Sequence, residues 1–209
     1  SKNNTGASVK TSVLQLWRVV YDATKGTWTP VERVYRIDTQ YAAVNGILND
    51  LLKASNLMAM HLQRAYGDSF SEYTLAWNPT DRFARDLKES TMDKLGFRTQ
   101  VSRDLARVLD EARDRGHQTK WVAHSQGGII LSKAIRLAGG DLSNMTTAFH
   151  SGANNHLVTN ANLRRANVTN LGYLDPPDDL VPNTVGFNTA NPVKWIRSIV
   201  RSPDLKRVA

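Results

Sequence analysis

Hydrophobic and polar residues alternate at the start of the chain in the pattern of a β-hairpin. Two runs rich in β-branched and aromatic residues, 13–21 and 31–37, are separated by a segment that contains Gly26 and Pro30. Runs of this composition are typical of strands, and the glycine and proline between them suit a turn. The pattern therefore predicts a hairpin, and we expect the polar residues 1–12 before it to form a loose lead-in.

Predicted strands alternate with predicted helices through the rest of the chain. Apolar residues at helical spacing indicate helices, and short apolar runs between turn residues indicate strands. The predicted strands are 41–44, 73–77, 119–123, 145–149 and 168–174, and the predicted helices are 48–65, 80–87, 101–112 and 127–138. Gly67 and Gly116 are placed to end two of these helices. Because such alternation is typical of βαβ units, we predict a single α/β domain over residues 1–209, with a mostly parallel sheet and helices on both faces.

The amino-acid composition excludes several kinds of functional site, whereas the net charge excludes few. Of the 209 residues, 41% are hydrophobic and 22% are charged, as in ordinary globular proteins. Cysteine is absent, which excludes a disulfide scaffold, a thiolate nucleophile, a cysteine-ligated zinc site and an iron–sulfur cluster. The net charge is +8, but basic residues alternate with acidic ones between Asp81 and Lys120, which is typical of solvated helix faces. We therefore predict no nucleic-acid partner.

Contact with a membrane is predicted only for one terminal helix. No apolar run approaches the ~20 residues that a membrane span requires, and no signal-peptide core opens the chain, so we expect a soluble protein or one at most peripheral to a membrane. Asn191-Pro192 is a typical helix start, and the helix that follows has an apolar face surrounded by basic residues. That face consists of Trp195, Ile196, Ile199 and Val200. Such a helix either binds an anionic membrane surface or packs on the sheet.

The strongest chemical signal is a serine between a predicted strand and a predicted helix. It is Ser125, in the segment Trp121-Val-Ala-His-Ser-Gln-Gly-Gly128, with a glycine two residues further on. A turn of this kind places the hydroxyl above the carboxyl edge of the sheet, at the N-terminus of the helix. There the helix dipole and the backbone amide of Gln126 can stabilise an oxyanion. Ser125 is therefore the candidate nucleophile, and the alternative is a serine in a purely structural turn.

The segment resembles the nucleophile elbow G-x-S-x-G of the α/β-hydrolase superfamily, with Ala123 in place of the first glycine. Three further segments resemble the same superfamily in the same order: 41–47, 77–80 and 179–182. The resemblance implies a small lipase-like or esterase-like serine hydrolase, of the type also found as domains of secreted bacterial effectors. Such an enzyme cleaves carboxylic esters, often of lipids, through an acyl-enzyme and requires no cofactor or metal.

The resemblance also implies an oxyanion donor and an acid. The second donor would be the backbone amide of Gly46 or Ile47, where a glycine lets the backbone approach substrate; the alternative is that Asn45-Gly46 is only a turn. For the acid that orients the histidine of the triad, the resemblance favours Asp179. Asp175 is the second choice, because it lies at the end of a predicted strand.

No histidine occupies the position that the resemblance requires. The order along such chains is serine, acid, histidine, whereas all five histidines here precede Asp179. They are His61, His117, His124, His150 and His156. His150 and His156 follow a predicted strand and should lie at the carboxyl edge beside the elbow. We choose His156 as the base, because it is far enough along its loop to fold back.

Three explanations for the missing late histidine remain open at this point. The base occupies an unusual place in the sequence, or it lies beyond Ala209 or on another chain, or the site is inactive. Two hypotheses of function follow. The first is a serine esterase or lipase. The second is a catalytically inactive hydrolase-fold module that binds a neighbouring domain or chain.

Overall fold

A computed structural model describes residues 14–46, 50–78, 94–152 and 154–174, with the side chains of 94–98 left out. The strands are β1 (Gln15–Asp22), β2 (Thr27–Val34), β3 (Tyr41–Val44), β4 (Glu72–Trp77), β5 (Thr119–His124), β6 (Met145–His150) and β7 (Thr169–Leu174). The helices are α1 (Leu51–Tyr66), α2 (Lys94–Asp114), α3 (Gly127–Leu137) and α4 (His156–Arg165). The predicted helices at 80–87 and 191–201 lie outside the described residues, as do Ile47, Asp175 and Asp179.

The seven described strands form one mixed sheet in the order β2-β1-β4-β3-β5-β6-β7. β1 is antiparallel to both β2 and β4, and the remaining neighbours are parallel. The predictions of an α/β fold, a mostly parallel sheet and an N-terminal hairpin are therefore confirmed.

The second strand of the hairpin begins earlier than predicted. It starts at Thr27, and Pro30, which we placed in the turn, lies inside the strand opposite Val19. The prediction was wrong because β2 is an edge strand, where a residue without a backbone N–H is tolerated, and because the register shifts beside Val19. The turn itself ends at Gly26, whose φ of 65° is left-handed.

Each face of the sheet has its own hydrophobic core. α1 covers one face, where its apolar side packs on Ala43, Val122 and Ala148. α2, α3 and α4 contribute to the core on the other face, with Val44, Ala123 and Phe149 of the strands among its members. Strands of a parallel sheet are buried on both sides, which explains why the central strand β3, Tyr41-Ala-Ala-Val44, is apolar throughout rather than alternating.

Helix α4 was not predicted from the sequence. Its apolar residues do not form a continuous stripe, and Leu157 is 80% exposed. The signal that marks its start is Asn155, whose side chain accepts hydrogen bonds from the backbone amides of Leu157 and Val158. An N-cap of this kind satisfies amides that have no partner within the helix.

The order of the strands places a topological switch point between the ends of β3 and β5. The chain passes from β3 through α1 to β4 on one side of β3, and it returns as β5 on the other side. α1, which follows β3, and α3, which follows β5, lie on opposite faces of the sheet. The two loops therefore diverge at the carboxyl edge, and such a topological switch point is where open α/β sheets bind ligands.

Helix length and composition also bear on membrane contact. Within the ranges that the structure describes, none of the helices combines the length and the apolar character that a membrane-spanning segment needs.

Candidate active site

Ser125 lies at this switch point in a strained backbone conformation. β5 ends at His124 and α3 begins at Gly127, so the chain reverses within two residues. Ser125 has a φ of 54°, a left-handed value that costs a non-glycine residue about 1–2 kcal/mol. Its backbone N–H donates to the carbonyl oxygen of His150 at 3.1 Å, which ties the turn to β6. Because such strain accumulates at functional sites, this conformation is the geometric feature that singles out Ser125.

The glycine that follows the turn is required by close contact between backbones. A Cβ atom built on Gly127 would lie 2.4 Å from the carbonyl oxygen of Val44. A Cβ atom on Gly128 would lie 2.6 Å from Oδ1 of Asn154, which is the end of a side chain. The start of α3 is therefore pressed against the end of β3 on one side and against the segment after β6 on the other.

The two candidate regions for oxyanion donors are in contact. A Cβ atom on Gly46 would lie 3.1 Å from the backbone nitrogen of Gln126, so the turn after β3 abuts the amide that follows Ser125. The N–H of Gly46, however, donates to Oδ1 of Asn45 at 2.9 Å. In this arrangement the Gly46 amide is occupied by its neighbour, and Ile47, the other candidate for the second donor, lies outside the described residues.

Three histidines form a cluster beside the elbow, on the face of the sheet that α1 covers. His61 of α1 and His150 of β6 approach with their Nδ1 atoms 2.8 Å apart, so one nitrogen donates a hydrogen bond and the other accepts it. The ring of His124 stacks on that of His61 with the centroids 4.3 Å apart. We call these three residues the histidine cluster.

The cluster is held in its neutral form by its surroundings. Burial, and then the neighbouring His124 and His150, lower the pKa of His61 well below its ordinary value. Burial lowers the pKa of His124 to about 4. Burial, followed by the charges of His124 and Arg64, lowers the pKa of His150 to about 4 as well. These low pKa values make all three histidines weak bases at neutral pH. A general base works best when its pKa is near the working pH, so none of the three is well suited to that role.

The geometry of the cluster is that of hydrogen bonding and stacking. In the described parts of the chain, no group of three or more histidine, aspartate or glutamate residues is arranged to hold a metal ion. The 2.8 Å between the Nδ1 atoms of His61 and His150 is a hydrogen-bond distance.

The two remaining histidines lie elsewhere. His156 is the first residue of α4, and its ring stacks on Tyr173 with the centroids 3.9 Å apart, on the sheet face opposite the cluster. It is partly exposed, and among the described residues no hydrogen bond joins it to Ser125. His117 precedes β5 at the amino edge, where its Nε2 lies 2.8 Å from the carbonyl oxygen of Thr39.

Sequence reasoning missed two features of this edge. The first is the pairing of His61 with His150, which are 89 positions apart in sequence. The indication for His61 was its place on the apolar side of α1, where Met58 and Leu62 are also buried. The second is Ser151, which follows β6 with a φ of 46° and whose N–H donates to the carbonyl oxygen of Leu174. It is a second strained serine at the carboxyl edge.

Comparison of the chain with protein-family models, with curated proteins and with solved structures finds no match. The fold class therefore rests on the sheet topology, and any function must be argued from the geometry at the carboxyl edge.

The strain at Ser125 leads to a first expected result. The free energy of unfolding of Ser125→Gly should be about 1 kcal/mol higher than that of Ser125→Ala, since glycine adopts a φ of 54° without strain and alanine does not. Urea denaturation of both variants measures this difference. Equal stabilities would mean that the left-handed turn is not maintained in solution.

Proposed function

We propose that the protein is a serine hydrolase of the α/β-hydrolase type that cleaves carboxylic esters, with Ser125 as its nucleophile. The observation that carries the proposal is the left-handed φ of Ser125 at the switch point between β3 and β5. Strain is retained there by the contact of Gly127 with Val44, so the turn is determined by its surroundings. Its place between a strand and a helix at the switch point distinguishes Ser125 from Ser151, the other serine of this edge with a left-handed φ.

The proposed reaction is a two-step acyl transfer. A base takes the proton of the Ser125 hydroxyl while Oγ attacks the acyl carbon, and the carbonyl oxygen becomes an oxyanion. The amide of Gln126 and the N-terminus of α3 face the charge that develops there. The base then gives its proton to the leaving alkoxide, and water repeats the sequence to release the acid.

His156 is the proposed base. The three residues of the histidine cluster are weak bases, and two of them, His61 and His150, are buried. His117 lies at the opposite edge of the sheet. His156 is partly exposed, and Asn154, two residues before it, touches the first turn of α3 at Gly128. Asp179, or Asp175 in second place, is the proposed acid that orients this histidine.

An apolar ester, such as a lipid, is the proposed substrate. Leu157 and Val158 are exposed directly after His156, at the carboxyl edge of the sheet. Exposed apolar side chains beside a nucleophile are suited to an acyl chain, whereas a polar substrate would leave them in contact with water. An anionic membrane surface is retained as the proposed source of that substrate.

An inactive hydrolase-fold module is the second candidate function. It is favoured by one observation: within the described residues, the Ser125 hydroxyl forms no hydrogen bond with a histidine ring, and the bond to His150 is made by backbone atoms alone. A module of this kind would use the same fold to bind a neighbouring domain or chain.

Hydrolysis of p-nitrophenyl acetate, butyrate and octanoate by the full chain separates the two functions. For the enzyme we expect turnover that falls about 1,000-fold or more in Ser125→Ala and about 100-fold in His156→Gln. Ser151→Ala is the matched control, because Ser151 is the other strained serine of this edge, and its turnover should stay near that of the wild type. Hydrolysis that Ser125→Ala leaves unchanged, or no hydrolysis by the folded wild type, would contradict the enzyme hypothesis.

A further inference from the structure

Two buried asparagines lie at the ends of adjacent strands, next to the candidate oxyanion site. Asn45 directly follows β3 and is 1% exposed, and Asn78 directly follows β4 and is 0% exposed. Neither has been given a role in the proposed reaction. Carboxamides are seldom buried this completely unless hydrogen bonds hold them.

The two carboxamides connect the turn after β3 to the end of β4. Nδ2 of Asn78 donates to the carbonyl oxygen of Asn45 at 3.3 Å. The N–H of Asn45 points to the carbonyl oxygen of Ala76 at 3.4 Å. Within the turn, Oδ1 of Asn45 accepts the N–H of Gly46. Contacts to β4 and to Asn78 thus fix the peptide groups before and after Asn45. The Asn45 side chain also holds the second of these groups, through the Gly46 N–H.

The arrangement is costly for stability. Across the described part of the chain, Nδ2 of Asn45 and Oδ1 of Asn78 have no hydrogen-bond partner although both are buried. Each buried polar atom without a partner costs on the order of 1–3 kcal/mol. Two apolar residues at these positions would avoid that cost, so stability alone does not account for the pair.

The turn that the pair holds is the one that touches the nucleophile elbow. Gly46 abuts the backbone nitrogen of Gln126, and the Cβ position of Gly127 lies 3.1 Å from the carbonyl carbon of Asn45. The two segments are closely packed, so a small displacement of the turn would change the position of the oxyanion donors. Oxyanion donors act only when they are aimed correctly, and a misplacement of 1 Å can cost about 100-fold in rate.

We propose that Asn45 and Asn78 are positioning residues that hold the turn after β3 against the Gln126 amide and thereby form the oxyanion site of Ser125. Asn78 holds the carbonyl group of Asn45, and the Asn45 side chain holds the Gly46 N–H, so that the turn keeps its position against the Gln126 amide. This inference rests on the proposed function, because an oxyanion forms at this site only if Ser125 attacks an acyl group.

The test compares the reactivity of Ser125 in variants of the full chain. A fluorophosphonate probe gives the second-order rate of phosphonylation of Ser125, and p-nitrophenyl butyrate gives kcat and KM separately. We expect Asn78→Ala and the isosteric Asn78→Asp to lower kcat and the labelling rate at least about tenfold with KM little changed, since neither can donate to Asn45. Asn45→Ala should do the same, because it removes the oxygen that accepts the Gly46 N–H.

Asn144→Ala is the matched control. Asn144 also donates from Nδ2 to a backbone carbonyl, that of His117, but at the amino edge of the sheet. Its loss should change the melting temperature and leave the labelling rate unchanged. A reactive wild type with Asn78→Asp labelled at the wild-type rate would overturn this inference alone. A folded wild type that does not react would overturn the proposed function, and the inference with it.

Discussion

Gly127→Ala is expected to destabilise the protein by about 3 kcal/mol or more and to abolish any activity of Ser125. The added methyl group would lie 2.4 Å from the carbonyl oxygen of Val44, which is far inside van der Waals contact. The obstacle is backbone on both sides, so neither β3 nor the start of α3 can yield without disturbing the sheet. Insertion of a methyl group into a filled site commonly costs 1–3 kcal/mol, and here there is no side chain to move aside.

Two other glycines provide graded controls, one in the first turn of α3 and one just after its C-terminal end. In Gly128→Ala the new Cβ atom meets the end of the Asn154 side chain, which can rotate, so a smaller loss is expected. In Gly139→Ala the nearest atoms are the carboxylate oxygens of Asp110 at 3.8 Å, an ordinary contact, and stability should change by less than about 0.5 kcal/mol. Urea denaturation measures all three. A Gly127→Ala variant as stable as Gly139→Ala would show that the start of α3 does not rest on β3.

The free energy of unfolding is expected to fall steeply as the pH drops from about 6.5 to about 4. In the unfolded chain histidine has a pKa of about 6.5, whereas the folded values of His124 and His150 are about 4. Between these two pH values His124 and His150 bind protons in the unfolded chain but remain neutral in the folded chain, so a lower pH favours unfolding. Stability is therefore fully present above pH 6.5, and the loss is complete near pH 4.

The expected size of this effect is about 3 kcal/mol for each of His124 and His150, which is large compared with the 5–15 kcal/mol of typical domains. His61, whose pKa is also lowered, adds to the loss in the same direction. Urea denaturation at pH 8.0, 6.5, 5.5 and 4.5 measures it. His150→Gln should flatten the dependence below pH 6.5, and His117→Gln, outside the cluster, should not. A stability that is constant from pH 8 to 4.5 would mean that the three rings do not pack together.

Local sequence patterns predicted the strand, the turn and the helix around Ser125, because the residues that determine them are adjacent in the chain. A strand, a serine, a small residue and an apolar helix follow one another between Trp121 and Ile135, and the structure has these elements in that order. The hairpin and the parallel strands were predicted for the same reason. Pro30 was misplaced because tolerance of a proline depends on whether the strand is at the edge, which only the assembled sheet decides.

The rest of the site depends on contacts between distant segments. His61 and His150 meet because α1 covers this face of the sheet, and nothing in either local sequence indicates the partner. Asn45 and Asn78 meet because β3 and β4 are neighbours, although both sequences look like ordinary turns. His156 was expected on a loop, but it begins a helix, since a single N-cap at Asn155 outweighs the weak apolar pattern of α4.

The most direct test of the central claim is reaction of the complete chain with a fluorophosphonate, followed by intact mass and peptide mapping. We expect one adduct per chain, located on Ser125, absent in Ser125→Ala and unchanged in Ser143→Ala, where an exposed serine at the amino edge is removed. Circular dichroism confirms that each variant is folded. An adduct on Ser151 or another residue, or no adduct on the folded wild type, would contradict the assignment of Ser125 as an activated nucleophile.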